Sequence, residues 1–115
     1  MANHKDLDVW KESMTLAKSI YSITAKFPKG ELYGLTSQMR RCSISIPSNI
    51  AEGAARTSDK EFIQFLYISL GSLSELETQV LLAHDLGFLK DISIIDQIAS
   101  VRKRILGLIK YLKNK

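Results

Sequence analysis

The sequence is short of the residues that punctuate or cross-link a chain: one cysteine, two prolines and six glycines in 115 residues. A lone Cys42 excludes an intrachain disulfide framework and suits a reducing compartment. So few prolines and glycines, with 45% hydrophobic residues, argue against disorder. No apolar run reaches the length of a membrane span, and the start lacks the apolar stretch of a secretory signal, so a cytoplasmic protein is expected. There are two histidines, His4 and His84, and neither has a second His or Cys at ligand spacing, which excludes the usual zinc patterns. The Glu-x-x-His pairs of di-iron helices, a glycine-rich phosphate loop and a Ser or Cys nucleophile motif are all missing. Glu52 and Glu75 stand alone, as ion-pairing carboxylates rather than an acid–base pair. The expectation is a non-enzymatic protein without metal or cofactor.

Charge is present, and it is uneven. Residues 1–56 carry eight Lys/Arg and five acids, residues 57–96 two Lys and seven acids, and residues 97–115 six Lys/Arg and no acid. The net +4 therefore hides an acidic third segment and a basic tail. Such asymmetry suits an anionic partner or an oppositely charged patch on a neighbouring subunit.

Apolar spacing predicts four amphipathic helices in one domain over residues 1–115. The first runs from Asp6 or Asp8 to Phe27, with Val9, Leu16, Ile20, Ile23 and Phe27 as its seam. Trp10, Met14, Ala17 and Tyr21 widen that seam, and Pro28 and Gly30 end the helix. Ser58-Asp-Lys-Glu61 is a capping box that opens the third helix, which extends to about Leu86. Phe62, Leu66, Ser69, Leu73, Leu76, Val80 and Ala83 repeat there at heptad spacing, with Ile63, Tyr67, Leu70 and Leu81 on a second face. Gly87 is the expected terminator. The fourth helix starts near Asp91 or Ser93, with Ile94, Ile98, Val101, Ile105, Leu108, Ile109 and Leu112 facing inward. Lys103 and Lys110 lie opposite that seam, flanked by Arg102 and Arg104. Such a basic outer face is ordinarily just solvated, and cations near a helix C-terminus also suit its dipole. Short connections make sequential helices antiparallel neighbours, so the fold class is all-α, an up-down-up-down four-helix bundle.

The second helix, Gln38 to Arg56, organises the rest. Leu35, Met39, Cys42, Ile46, Ile50 and Gly53 fall on one side at 100° per residue. Gln38, Arg41, Ser45, Asn49, Glu52 and Arg56 form a polar stripe, expected to be structural. Glu75 needs a partner, for which Arg41 or Arg56 is the candidate. Ile44, Pro47, Ala51 and Ala55 point away from the seam beside Arg40, a candidate oligomer interface, since a monomer's outer face should be polar. Alanine there also serves as a plain helix former. Pro47 leaves either one kinked helix or two helices, and the unbroken apolar phase favours one. Serines 43, 45 and 48 can satisfy freed backbone groups or act as small fillers. Gly53 can admit a close backbone approach.

The motifs Leu7-Asp-Val-Trp10, Phe27-Pro28, Tyr33-Gly34-Leu35, Gln38-x-Arg40-Arg41, Ser45-Ile-Pro-Ser-Asn-Ile-Ala-Glu-Gly53, Phe62-x-x-Phe65-Leu66, Glu75-Leu76 and Leu86-Gly87 carry a resemblance. With Arg56 and Gly71-Ser72 they cover the chain to about Leu89, and the last helix matches only in pattern. The sequence resembles the four-helix-bundle proteins named after intervening sequences in bacterial 23S ribosomal RNA genes. That family is similar to the accessory proteins of diversity-generating retroelements, which form basic five-membered rings and bind RNA and a reverse transcriptase. The resemblance implies an antiparallel four-helix bundle and a homo-oligomer, most simply a pentamer. It also implies structured RNA or a ribonucleoprotein as partner. The candidate contacts are Arg102, Lys103, Arg104, Lys110, Lys113 and Arg40. The alternative is a protein-interaction scaffold with no nucleic-acid role.

Overall fold

The computed structural model describes residues 3–115. Four helices make up most of it: α1 (Asp8–Thr24), α2 (Ser37–Ala54), α3 (Asp59–Asp85) and α4 (Ile94–Lys113). Before α1, a 3₁₀ turn spans His4–Asp6, where the Asn3 side chain accepts from the Lys5 N–H at 2.9 Å.

The contacts define an antiparallel ring of neighbours. Arg104 in the middle of α4 pairs with Glu12 in the first half of α1, while Gln97 near the start of α4 accepts from Ser19 in the second half of α1. Arg40 at the start of α2 reaches Thr24 and Tyr21 at the end of α1. Ser45 of α2 meets Ser72 in the middle of α3, and Gly53 meets Phe62 and Phe65 at its start. Arg102 of α4 bonds Glu77 of α3, and Lys113 bonds Tyr67. Each helix therefore runs opposite to both its neighbours, up-down-up-down. At ~1.5 Å per residue the 27 residues of α3 span ~40 Å, which accounts for most of the 46 Å long axis.

The inward residues are those that the spacing picks out. Leu16 and Ile20, Met39, Ile46 and Ile50, Leu66, Leu73, Leu76 and Val80, and Ile98, Val101 and Ile105 are all fully buried. Buried hydroxyls are satisfied locally: Ser13 donates to Trp10 O and Thr24 to Ile20 O. Helix α1 stops at Thr24 rather than Phe27, and residues 25–27 continue as turns, with Phe27 still buried. Phe27 is tilted against Phe88, with ring centroids 5.8 Å apart. The connection to α2 holds a 3₁₀ turn at Lys29–Glu31 and a wider turn at Leu32–Thr36.

Helix α2 is continuous through Pro47. Ser43, one turn earlier, turns its hydroxyl to Arg40 O at 2.8 Å, and Ser69 of α3 donates to Ile46 O at 3.0 Å. Gly53 is where α2 comes closest to α3. A Cβ there would lie 2.7 Å from Phe65 Cβ and 3.3 Å from the Phe62 carbonyl, so no larger residue fits this helix pairing.

Helix α3 begins at Ser58, whose Oγ accepts from the Glu61 N–H and donates to the Glu61 carboxylate, both at 3.2 Å. It ends in a Schellman turn: Phe88 N–H donates to Ala83 O, Gly87 N–H to His84 O, and Gly87 takes φ 82°. Asp91 accepts from the Ser93 N–H at 2.8 Å just before α4. That backbone bond holds its carboxyl below the ordinary carboxylate range.

Candidate functional site

The six cations named for RNA contact divide by what holds them. Arg102 and Arg104 flank the α4 seam, so they reach the helices on either side. Arg102 bonds Glu77 at 2.7 Å; Arg104 pairs with Glu12 and lies 3.9 Å from Asp8. Both are committed to acids. Lys113 donates to Tyr67 Oη at 3.1 Å, and its ammonium lies 5.4 Å from that ring's centre. Arg40 donates to Thr24 Oγ1 at 2.9 Å and stacks over Tyr21 at 4.7 Å. These partners are neutral, so both side chains keep an uncompensated charge. Lys103 and Lys110 are exposed and make no ion pair among the described residues. Seven residues apart, they stand on one line of the helix, ~10 Å from each other. Gly107 lies between them, and a Cβ added there would meet nothing. The outer face of α4 thus carries two ammonium groups without acid partners, with half-exposed Leu106 and the bare Gly107 between them.

On the opposite side of the bundle lies an apolar groove. Helix α2 packs along α1, and Ile44, Pro47 and Ala51 meet Trp10, Met14, Ala17 and Tyr21 across a depression of about 550 Å³. Ile44 is 44% exposed. Pro47 corrects the expectation of an open outer face: it is buried, because α1 covers that side of α2. Ala55 caps the end of α2, exposed and outside the groove. A second depression of about 500 Å³ shares Tyr21 and Ile44 and continues past Leu32, Tyr33, Arg40 and Arg41. Tyr33 is 93% exposed. In the sequence Trp10 reads as a core or interface anchor, but Trp10, Met14 and Tyr21 continue the core seam without a break, so spacing alone does not place the groove. Leu32 and Tyr33 lie outside any periodic stretch. Their signal was two large apolar residues side by side in a loop.

The polar stripe of α2 faces α3. Asn49 Nδ2 donates to Ser45 O at 2.8 Å and to Ser45 Oγ at 3.0 Å, and Ser45 in turn bonds Ser72 across the helix pair. Glu52 and Arg56 pair at 3.3 Å on the open surface, with Arg56 also stacked over Phe65 at 4.8 Å. Glu75 does not meet either candidate arginine. It is exposed, receives Gln79 Nε2 at 3.4 Å, and lies beside Cys42. Arg56 is engaged by Glu52, and Arg41 is exposed without an ion pair among the described residues. Cys42 donates to Ser72 O at 2.9 Å. Burial, with the Glu75 carboxylate beside it, pushes the thiol up to about 12, which keeps it protonated and unreactive at neutral pH. The Gln79 Oε1 is buried without a partner.

Among the described residues no group of three His, Cys, Asp or Glu side chains could hold a metal ion. No described helix is long and apolar enough to cross a membrane. The geometry sets apart a cationic surface on α4 and an apolar groove between α1 and α2. No individual curated protein matches the sequence. Residues 5–112 match the family described as 23S rRNA-intervening sequence protein. That match takes in α1, α2, α3 and α4 up to Leu112, and the chain belongs to this family of small helical proteins.

Proposed function

We propose that this is a non-enzymatic, oligomeric helical bundle of the cytoplasm that binds structured RNA through phosphate contacts. The observation that carries the reading is the pair Lys103 and Lys110, unpaired on the outer face of α4 while the arginines beside them are tied to acids. Ammonium groups on a smooth helix face recognise phosphate and carry little base information, so RNA is selected by shape. Membership of a family named for 23S ribosomal RNA intervening sequences supports an RNA ligand. Assembly through the Ile44 side of α2, most simply as a pentamer, would repeat each weak contact around an axis and add them as avidity.

The groove favours a second reading, a protein-interaction scaffold with no RNA role. Tyr33 and Ile44 are exposed apolar groups that phosphate binding does not use. Retention of a 23S ribosomal RNA hairpin at low salt separates the two. The RNA reading expects retention by the parent and its loss on combined Lys103→Glu and Lys110→Glu, with the oligomer's mass unchanged. No retention by the parent, or retention unaffected by the reversals, leaves the scaffold reading in place.

A further inference from the structure

The groove between α1 and α2 has a distinctive chemistry. Its two depressions contain no aspartate or glutamate. Lys18, Arg40 and Arg41 stand along it, and none makes an ion pair among the described residues. An apolar floor of Trp10, Met14 and Ile44 beneath three unpaired cations calls for an apolar occupant that carries negative charge and no positive charge.

The chain itself presents such a surface. Between Glu61 and Ala83, α3 contains no lysine or arginine. Ile68, Gly71, Glu75, Leu82 and Leu86 fall within one narrow arc of that helix. Ile68, Leu82 and Leu86 are each about half exposed, at 50%, 48% and 54%. Glu75 faces out among them with no cationic partner among the described residues. A Cβ added at Gly71 would meet nothing, so the centre of the ridge is open to a close approach. The lengths agree: Trp10 to Tyr21 runs ~17 Å along α1, and Ile68 to Leu82 runs ~21 Å along α3. Groove and ridge are both exposed outer faces of the same bundle, so one chain cannot close the contact on itself.

We propose that the acid-free groove between α1 and α2 receives the Ile68–Glu75–Leu82 ridge of α3 from a second copy of this chain. This rests on the assembly reading above and names the face that fills the groove. The contact is heterologous, head to tail, and each copy keeps one free groove and one free ridge until a ring closes. Glu75 comes within range of Arg41 or Lys18 of the neighbour, which gives Glu75 the cation it lacks within its own chain.

Light scattering at micromolar concentration, with circular dichroism on each variant, tests it. The parent is expected as an oligomer. Ile44→Glu breaks the groove; Leu82→Glu and, separately, Gly71→Leu break the ridge. Each is expected to give a monomer with the parent's helical signal. Ile44→Glu mixed with Leu82→Glu leaves one intact groove and one intact ridge, so the mixture is expected to double in mass and stop at a one-to-one dimer. A monomeric parent overturns the assembly reading and this inference together. An oligomeric parent whose Leu82→Glu and Gly71→Leu variants stay assembled overturns the ridge alone. Monomeric variants that remain monomers when mixed overturn the pairing of groove with ridge.

Discussion

Gly53→Ala puts the packing of α2 on α3 to a sharp test, because two opposed effects can be weighed. Replacing a glycine inside a helix by alanine is intrinsically favourable by roughly 1 kcal/mol. Against that, the new Cβ would lie 2.7 Å from Phe65 Cβ, 2.9 Å from Phe62 Cδ1 and 3.3 Å from Phe62 O. Carbon atoms rest at about 3.5–4.0 Å, so α2 and α3 must part by close to 1 Å locally. Overpacking costs about 1–3 kcal/mol, and the upper end applies because a main-chain carbonyl shares the clash. The net is a loss of about 2 kcal/mol, or roughly 8 °C in Tm for a chain of this size. Gly107→Ala is the control: its Cβ meets nothing, so the propensity gain stands alone and Tm rises by a few degrees. Thermal melts by circular dichroism at one fixed protein concentration read both. A Gly53→Ala protein melting at or above the parent refutes the reasoning.

Asn49→Ala and Glu52→Ala are expected to differ although both sit on one stripe. Asn49 ties two atoms of Ser45 into the half-buried helix pair, so its loss costs about 1 kcal/mol in urea unfolding. The Glu52–Arg56 pair is 56% and 42% exposed, and its loss costs no more than a few tenths. Equal losses would show that the stripe is not divided as described. Cys42 gives a pH signature. Its folded pKa lies above the ordinary thiol value of 9.0, so the unfolded chain ionises first and stability falls as pH rises from about 9 towards about 12. Urea unfolding across that range should show the decline in the parent and less of it in Cys42→Ala, and native Cys42 should resist iodoacetamide at pH 8.

The four helices and their order were legible in the sequence because nothing competes with the 3.6-residue period. The Ser58 cap and the Gly87 stop are local signals that act where they stand. Gly53 was readable as a close approach, since it sits on the seam where a side chain is expected. The candidate surfaces were less legible. A seam predicts that a residue is inward, not which neighbour covers its flank, so Pro47 read as outward until α1 was laid beside it. The partner of Glu75 failed for a related reason. Charge matching by residue type ignores both height and direction: Glu75 lies near the level of Cys42, Arg56 is fourteen residues on and past the end of α2, and Arg41, at the right level, points about 100° away from Cys42 around the helix. Periodicity also separates flanking from outward cations without showing which of them find acids: Arg102 and Arg104 do, and Lys103 and Lys110 do not.

The salt dependence of RNA binding reads phosphate contact by Lys103 and Lys110. Each phosphate neutralised by a cation releases counterions, so the slope of log K against log salt counts contacts at roughly 0.7–0.9 apiece. Lys103 and Lys110 contribute two such contacts per engaged protomer. For a 23S ribosomal RNA hairpin, the parent is expected to show a steep negative slope. The Lys103→Ala, Lys110→Ala double variant is expected to show a slope shallower by at least about 1.4, at unchanged oligomer mass. A parent that binds with no salt dependence, or a double variant with the parent's slope, would contradict phosphate contact by these lysines.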